Sequence, residues 1–167
     1  MINREYSLSE VAGFLGMNPV TVKSWAKHVP GNYFEGGGSA GKHRRFSFNA
    51  LMQLAVVAEL VKMLPREDFE RAFSVAATFA YTDHEGREVG LPHHPNVGMT
   101  YMLVTDDLSH IFVQDRSTPD LSKLPVPTSH LKRICVLNLT NIFCGVASAV
   151  GTGGFAVLDG AYPKLAS

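Results

Sequence analysis

Two cysteines are too few to staple this chain. Cys135 and Cys144 rule out a disulfide scaffold and fall short of the ligand count of a structural zinc site. Net charge is also missing. The 15 Lys and Arg balance 15 Asp and Glu, which excludes a uniformly basic, histone-like coat. No uninterrupted apolar run approaches the ~18 residues of a membrane span, so no membrane partner is expected. The first 30 residues carry charges throughout and have no apolar signal core, which predicts a cytoplasmic chain. What is present is a hydrophobic fraction of 46% beside a charged fraction of 18% over 167 residues. That suits a folded chain with a real core, built as one domain of ordinary size or two small ones.

The charge balance hides a split. Residues 1–64 hold seven bases and four acids, whereas residues 65–167 hold eight bases and eleven acids. Between Asn18 and Arg45 there are five bases and one acid. A sign difference between halves points to a polyanion-binding N-terminal half and a C-terminal half with another task.

Tyr6-Ser7-Leu8-Ser9-Glu10 has the spacing of a capping box, with Ser7 as cap and Glu10 three residues on. Leu8, Val11, Ala12 and Leu15 then form one helical stripe, and Gly16 ends it. Asn18-Pro19 restarts a helix, since Asn caps well and Pro suits the first helical position. Val22, Trp25, Ala26 and Val29 make its inner stripe and leave Thr21, Lys23, Ser24, Lys27 and His28 outward. Two short helices across a Gly-containing turn predict a helix-turn-helix. Residues 31–41 read as a flexible, Gly-rich hairpin tip, and Lys42-His43-Arg44-Arg45 as a basic extended segment. Ser47 or Asn49 caps a third helix whose apolar positions cover more than one stripe, so it should be covered on two sides. A fourth helix follows Pro65 and ends near Tyr81.

Asp83 to Asn96 carries Gly86, Gly90, Pro92 and Pro95 and reads as a linker or long loop, solvated in either case. Met99–Val104 and His110–Gln114 are strand-rich around a turn at Asp106-Asp107-Leu108-Ser109, which predicts a hairpin. Ile134–Leu139 is a third strand. Thr140 or Asn141 caps a last helix through Val150, closed by Gly151-Thr152-Gly153-Gly154, with an irregular tail from Phe155.

The segment Tyr6 to Met17 resembles the first helix and turn of MerR-type winged helix-turn-helix domains, and Asn18 to Trp25 resembles their recognition helix. Arg45-Phe46-Ser47-Phe48-Asn49-Ala50-Leu51 is similar to the segment that leads that family's chain from the wing into the next helix. Pro65-Arg66-Glu67-Asp68-Phe69 falls where its fourth helix begins. The resemblance covers roughly residues 5–80. There are departures: Lys23 stands where Arg is common, Ser24 where an aromatic is common, and there is no long dimerising heptad helix after residue 64 and no metal-sensing cysteine set. Effector sensing of the family's kind is therefore not carried over.

The expected fold class is α+β. A winged helix-turn-helix domain (residues 1–82) precedes a small α+β domain (residues 97–167) with a β-hairpin and a C-terminal helix. The expected function is sequence-specific binding of double-stranded DNA in transcriptional regulation. Val20, Thr21 and Ser24 would meet base edges in the major groove, with Asn18 at the helix start. Lys23, Lys27 and His28 would meet phosphate. Lys42, His43, Arg44 and Arg45 would lie on the backbone or in the minor groove. Residues 97–167 are expected to serve homodimerisation, a protein partner or a small-molecule effector. The first alternative is a structural or DNA-packaging protein, of viral type, that uses the same fold for oligomerisation or non-specific DNA binding. The second is an enzyme in residues 98–167, but no convergent His/Asp/Ser set supports it. No catalytic residue, cofactor or metal site is expected. His84, His93 and His94 lie near Asp83 and Glu85, but no pair has the i, i+4 spacing of helical ligands. The cysteines read as buried, inert thiols.

Overall fold

A computed structural model describes residues 4–29, 45–83, 86–115, 117–126 and 132–166. The chain is a mixed α+β structure with six α-helices and two small antiparallel sheets among these residues. Strand β1 (Tyr6–Ser7) leads into α1 (Leu8–Leu15) and α2 (Pro19–Trp25). Strand β2 (Arg45–Phe46) pairs antiparallel with β1, with Tyr6 opposite Phe46. The long helix α3 (Phe48–Met63) and α4 (Phe69–Tyr81) follow. Strands β3 (Met99–Thr105), β4 (Ser109–Gln114) and β5 (Ile134–Asn138) form a sheet in the order β4-β3-β5. Helices α5 (Leu139–Ala149) and α6 (Gly154–Ala161) end the described chain.

Local chemistry sets the first boundaries. The Ser7 hydroxyl accepts from the Glu10 N–H, and the Glu10 carboxylate accepts from the Ser7 N–H at 2.8 Å. These bonds satisfy orphan donors at the start of α1. Gly16 takes φ +61° and ends α1, a conformation that a Cβ disfavours. The Asn18 side chain accepts from the Val20 N–H at 2.8 Å, and Pro19 occupies the first turn of α2. Ser47, not Asn49, caps α3.

Helix α3 is the centre of the molecule. Ala50 through Val57 are all buried, eight residues in a row, so every face of the helix there is covered. Helices α1, α4 and α5 all pack on it. Phe48 of α3 meets Phe143 of α5 edge-on at 6.0 Å. One cluster of buried side chains runs from Val11 and Val22 through α3 to Met102, Val104 and Leu158, so the two expected domains share a core.

Three expectations are corrected. Between Asp83 and Asn96 the described residues are a loop, as expected, but not a solvated one: Arg87, Leu91, His93 and His94 are buried. The Arg87 guanidinium donates to the carbonyls of Phe79, Thr82, Glu88 and Leu91 and so caps the C-terminal end of α4. Burial pulls its pKa below the usual arginine value. Asn138, rather than Thr140 or Asn141, caps α5. Thr140 turns inward instead, accepting from the Thr100 N–H at 2.9 Å. The tail is not irregular. Gly151 does turn the chain at φ +81°, but α6 follows and packs back on α5, bringing Gly154 against Cys144.

Two glycines of α1 test this reading with opposite signs. Gly13 sits mid-helix, and a Cβ there meets nothing within 4 Å. Gly13→Ala should raise stability by about 0.5–1 kcal/mol in urea denaturation. Gly16→Ala should lower it by about 1–2 kcal/mol, because its φ is left-handed. The capping box carries a pH signature. The Ser7 backbone N–H, then the Ser7 hydroxyl and Arg4, hold the Glu10 carboxyl below its ordinary value of 4.5. A depressed folded pKa gives stability that is present above the unfolded value and lost as pH falls through the folded one. Denaturation of the parent and Glu10→Gln should therefore differ at neutral pH and converge below pH 4.5.

Candidate nucleic-acid interface

The α1–turn–α2 unit presents the residues singled out from the sequence. Val22 and Ala26 are buried and fix α2 against the core. Trp25 is half-buried, its ring edge-on to Phe69 at 6.0 Å and to Phe73 at 5.8 Å. It serves packing between α2 and α4. With that side pinned, the opposite side of α2 is turned to solvent. Val20 is 74% exposed, Lys23, Ser24 and Lys27 are exposed, and Thr21 is half-buried. From Asn18 to Val29 the chain has no carboxylate.

Asn18 is at the start of this surface, but its side-chain oxygen is already engaged in capping. His28 departs from the outward placement expected of it. It follows α2 in a single 3-10 turn (Ala26–His28), and its ring lies 4.9 Å from Phe73 and 5.7 Å from Phe69. Its Nδ1 is 3.1 Å from the Glu70 carboxylate. The helical period alone would place it outward, but the tighter 3-10 turn redirects it onto α4. Arg45 is exposed on β2, beside the capped start of α3. Lys42, His43 and Arg44 lie outside the described residues, as does the Gly-rich tip.

The arrangement brings together an outward row of one exposed aliphatic side chain, two hydroxyls and two ammonium groups on α2 and the 3-10 turn that follows it. Short aliphatic and hydroxyl side chains suit thymine methyls and base edges, and ammonium groups suit phosphates.

The second histidine group resolves into structural roles. The His93 backbone N–H donates to Thr100 Oγ1 at 2.8 Å, and its ring Nδ1 lies 3.2 Å from the same oxygen. His94 Nε2 is 3.0 Å from Asp159 of α6, and its Nδ1 accepts from the Asn96 N–H. Tyr162 donates to the Pro92 carbonyl and accepts from the Glu88 N–H. The contacts of Asp159 and Tyr162 fasten the end of α6 to the buried loop. Sequence reasoning missed these because both residues lie more than sixty positions from their partners in the loop. His84 and Glu85 lie outside the described residues, and among the described residues no group of three metal-type ligands converges. Burial pushes the Cys135 and Cys144 thiols up, which suits inert side chains.

Among the described residues no single helix is long and apolar enough to cross a membrane. Comparisons with protein-family models, curated proteins and solved structures give no match.

The His28 placement has a measurable consequence. His28→Ala should cost about 1 kcal/mol in thermal or urea unfolding, through loss of its aromatic contacts. Lys27→Ala, one residue earlier and exposed, should stay within about 0.5 kcal/mol of the parent.

Proposed function

We propose that the chain is a sequence-specific double-stranded DNA-binding protein that acts in transcriptional regulation, reading the major groove with α2. In this reading α1, the turn and α2 form the helix-turn-helix of a winged, MerR-like domain. The observation that carries it is the outward side of α2. Val20, Thr21, Lys23, Ser24 and Lys27 face away from the core on a stretch without a carboxylate, and the buried side is held by Val22, Trp25 and Ala26.

The division of labour follows from side-chain length. Val20, Thr21 and Ser24 are short, so they reach base edges only if the helix sits deep in the groove. Lys23 and Lys27 are long and meet the phosphates that flank it. Arg45 is exposed on β2, and in this reading it supplies further backbone or minor-groove contacts together with Lys42, His43 and Arg44. Residues 97–167 hold five acids and five bases, so they offer a duplex no net positive charge and are left for a second copy or another partner. Two copies on two half-sites multiply a specificity that one short helix supplies weakly.

Selection of bound sequences from a random duplex pool tests this directly. The expected outcome is a compact enriched motif. Enrichment of no motif, with binding retained, would favour the packaging reading instead. On the selected duplex, Lys23→Ala and Lys27→Ala should each lower the salt dependence of binding by about 0.9 in log–log slope. Val20→Ala should leave the slope unchanged and relax preference at one base pair, at a cost of about 1–3 kcal/mol. Unchanged binding in both lysine variants would remove α2 from the interface.

A further inference from the structure

A groove of about 610 Å³ opens between the α1–turn–α2 unit, α3 and α5. Small-molecule sites occupy about 300–1,000 Å³. Phe14 and Met17 form one wall, Trp25 extends it, and Ile142 and Val146 form the α5 wall. The charged groups on the lining are Glu59 and Lys62, and they are paired with each other at 2.6 Å. The groove therefore offers no net charge to an occupant. One neutral hydrogen-bonding side chain, Asn141, completes it.

This lining selects by chemistry. Aromatic and thioether walls favour a flat, polarisable molecule. Glu59 and Lys62 are exposed and of opposite sign, so neither an anion nor a cation gains a net electrostatic advantage there over an uncharged molecule. The amide can satisfy one polar group. We infer that the groove binds an uncharged aromatic small molecule bearing a single hydrogen-bonding group, stacked along Phe14 and Trp25 and held at its polar end by Asn141.

Its position gives the binding a consequence. Met17 lies in the turn that enters α2, and Trp25 is the last residue of that helix. An occupant touches both ends of the helix that carries Lys23 and Ser24. If its affinity differs between two settings of α2, it shifts their populations. This regulatory consequence rests on the DNA-binding reading above, whereas the binding itself does not.

The chain has one tryptophan, so the groove contains its own reporter. The probe is N-phenyl-1-naphthylamine, an uncharged aromatic fluorophore that accepts energy from tryptophan. Titration without DNA should give saturable binding of one molecule per chain, with Trp25 emission quenched and the probe's emission sensitised. Gly145 lines the groove, and a Cβ there meets nothing within 4 Å, so Gly145→Leu starts its side chain in open space at the groove wall and narrows the groove. It should weaken probe binding by about tenfold or more, with thermal unfolding retained. Gly160→Leu is the control. Gly160 is exposed on α6, off the groove, with equally open space at its Cβ. It should bind the probe as the parent does. Three results would overturn the inference: no saturable Trp25 response, equal binding in Gly145→Leu, or probe binding that disappears as the chain dimerises in light scattering, which would give the groove to a second copy. Failure of DNA selection with probe binding intact would sink the function and leave the groove. The reverse result would do the opposite.

Discussion

The burial of α3 on all sides is the constraint on which the rest depends. A helix with eight consecutive buried residues cannot be stabilised by one partner. It needs α1 from residues 1–64 and both α4 and α5 from residues 65–167. The consequence is a molecule whose basic and acidic halves differ in charge but share an interior. The Gln53 side chain sits within it, fully buried, donating to the Phe73 carbonyl at 3.0 Å and so fixing the register of α3 against α4. Because α4 also receives Trp25 and His28, the setting of α2 is tied through two rings and one helix to the central core.

Much of the first half was legible because its signals are local. Ser7 with Glu10, Asn18 with Pro19, and Ser47 before Phe48 satisfy backbone groups within four residues, so sequence spacing is enough to place them. The inner side of α2 followed from the 3.6-residue period, and Val22 and Ala26 are buried as that period requires. The β3–β4 hairpin was legible for the same reason. Its turn residues Asp106–Leu108 separate two runs of strand formers, and Thr105 closes the turn against Leu108.

What was not legible depends on partners that helical or strand spacing does not name. Composition marks Gly86, Gly90, Pro92 and Pro95 as loop, which is correct. It cannot show that Arg87 completes the end of α4, or that His94 reaches Asp159 in α6. Polar residues were read as solvent-facing because no periodic or capping pattern assigns them a partner. In the structure they are buried because nearby carbonyls satisfy Arg87, Thr100 meets His93, and a carboxylate 65 residues away meets His94. Helix α6 was hidden by its own glycines, which raise the cost of helix formation. Packing against α5 offsets that cost, with Leu158 fully buried. His28 was misplaced outward because the period of α2 was extended into a 3-10 turn.

The functional account reduces to one orientation: α2 pinned by Val22, Trp25 and Ala26, with the outward side chains of a segment that has no carboxylate of its own offered to a duplex. The most direct measurement is an amide NMR titration of the ¹⁵N-labelled chain with a short duplex carrying the selected motif. The account predicts that the largest shift changes fall on Asn18 to Lys27 and on Arg45, with Leu139 to Ala161 little affected. Shift changes confined to the β3–β5 sheet or to α5 and α6, with α2 silent, would contradict it.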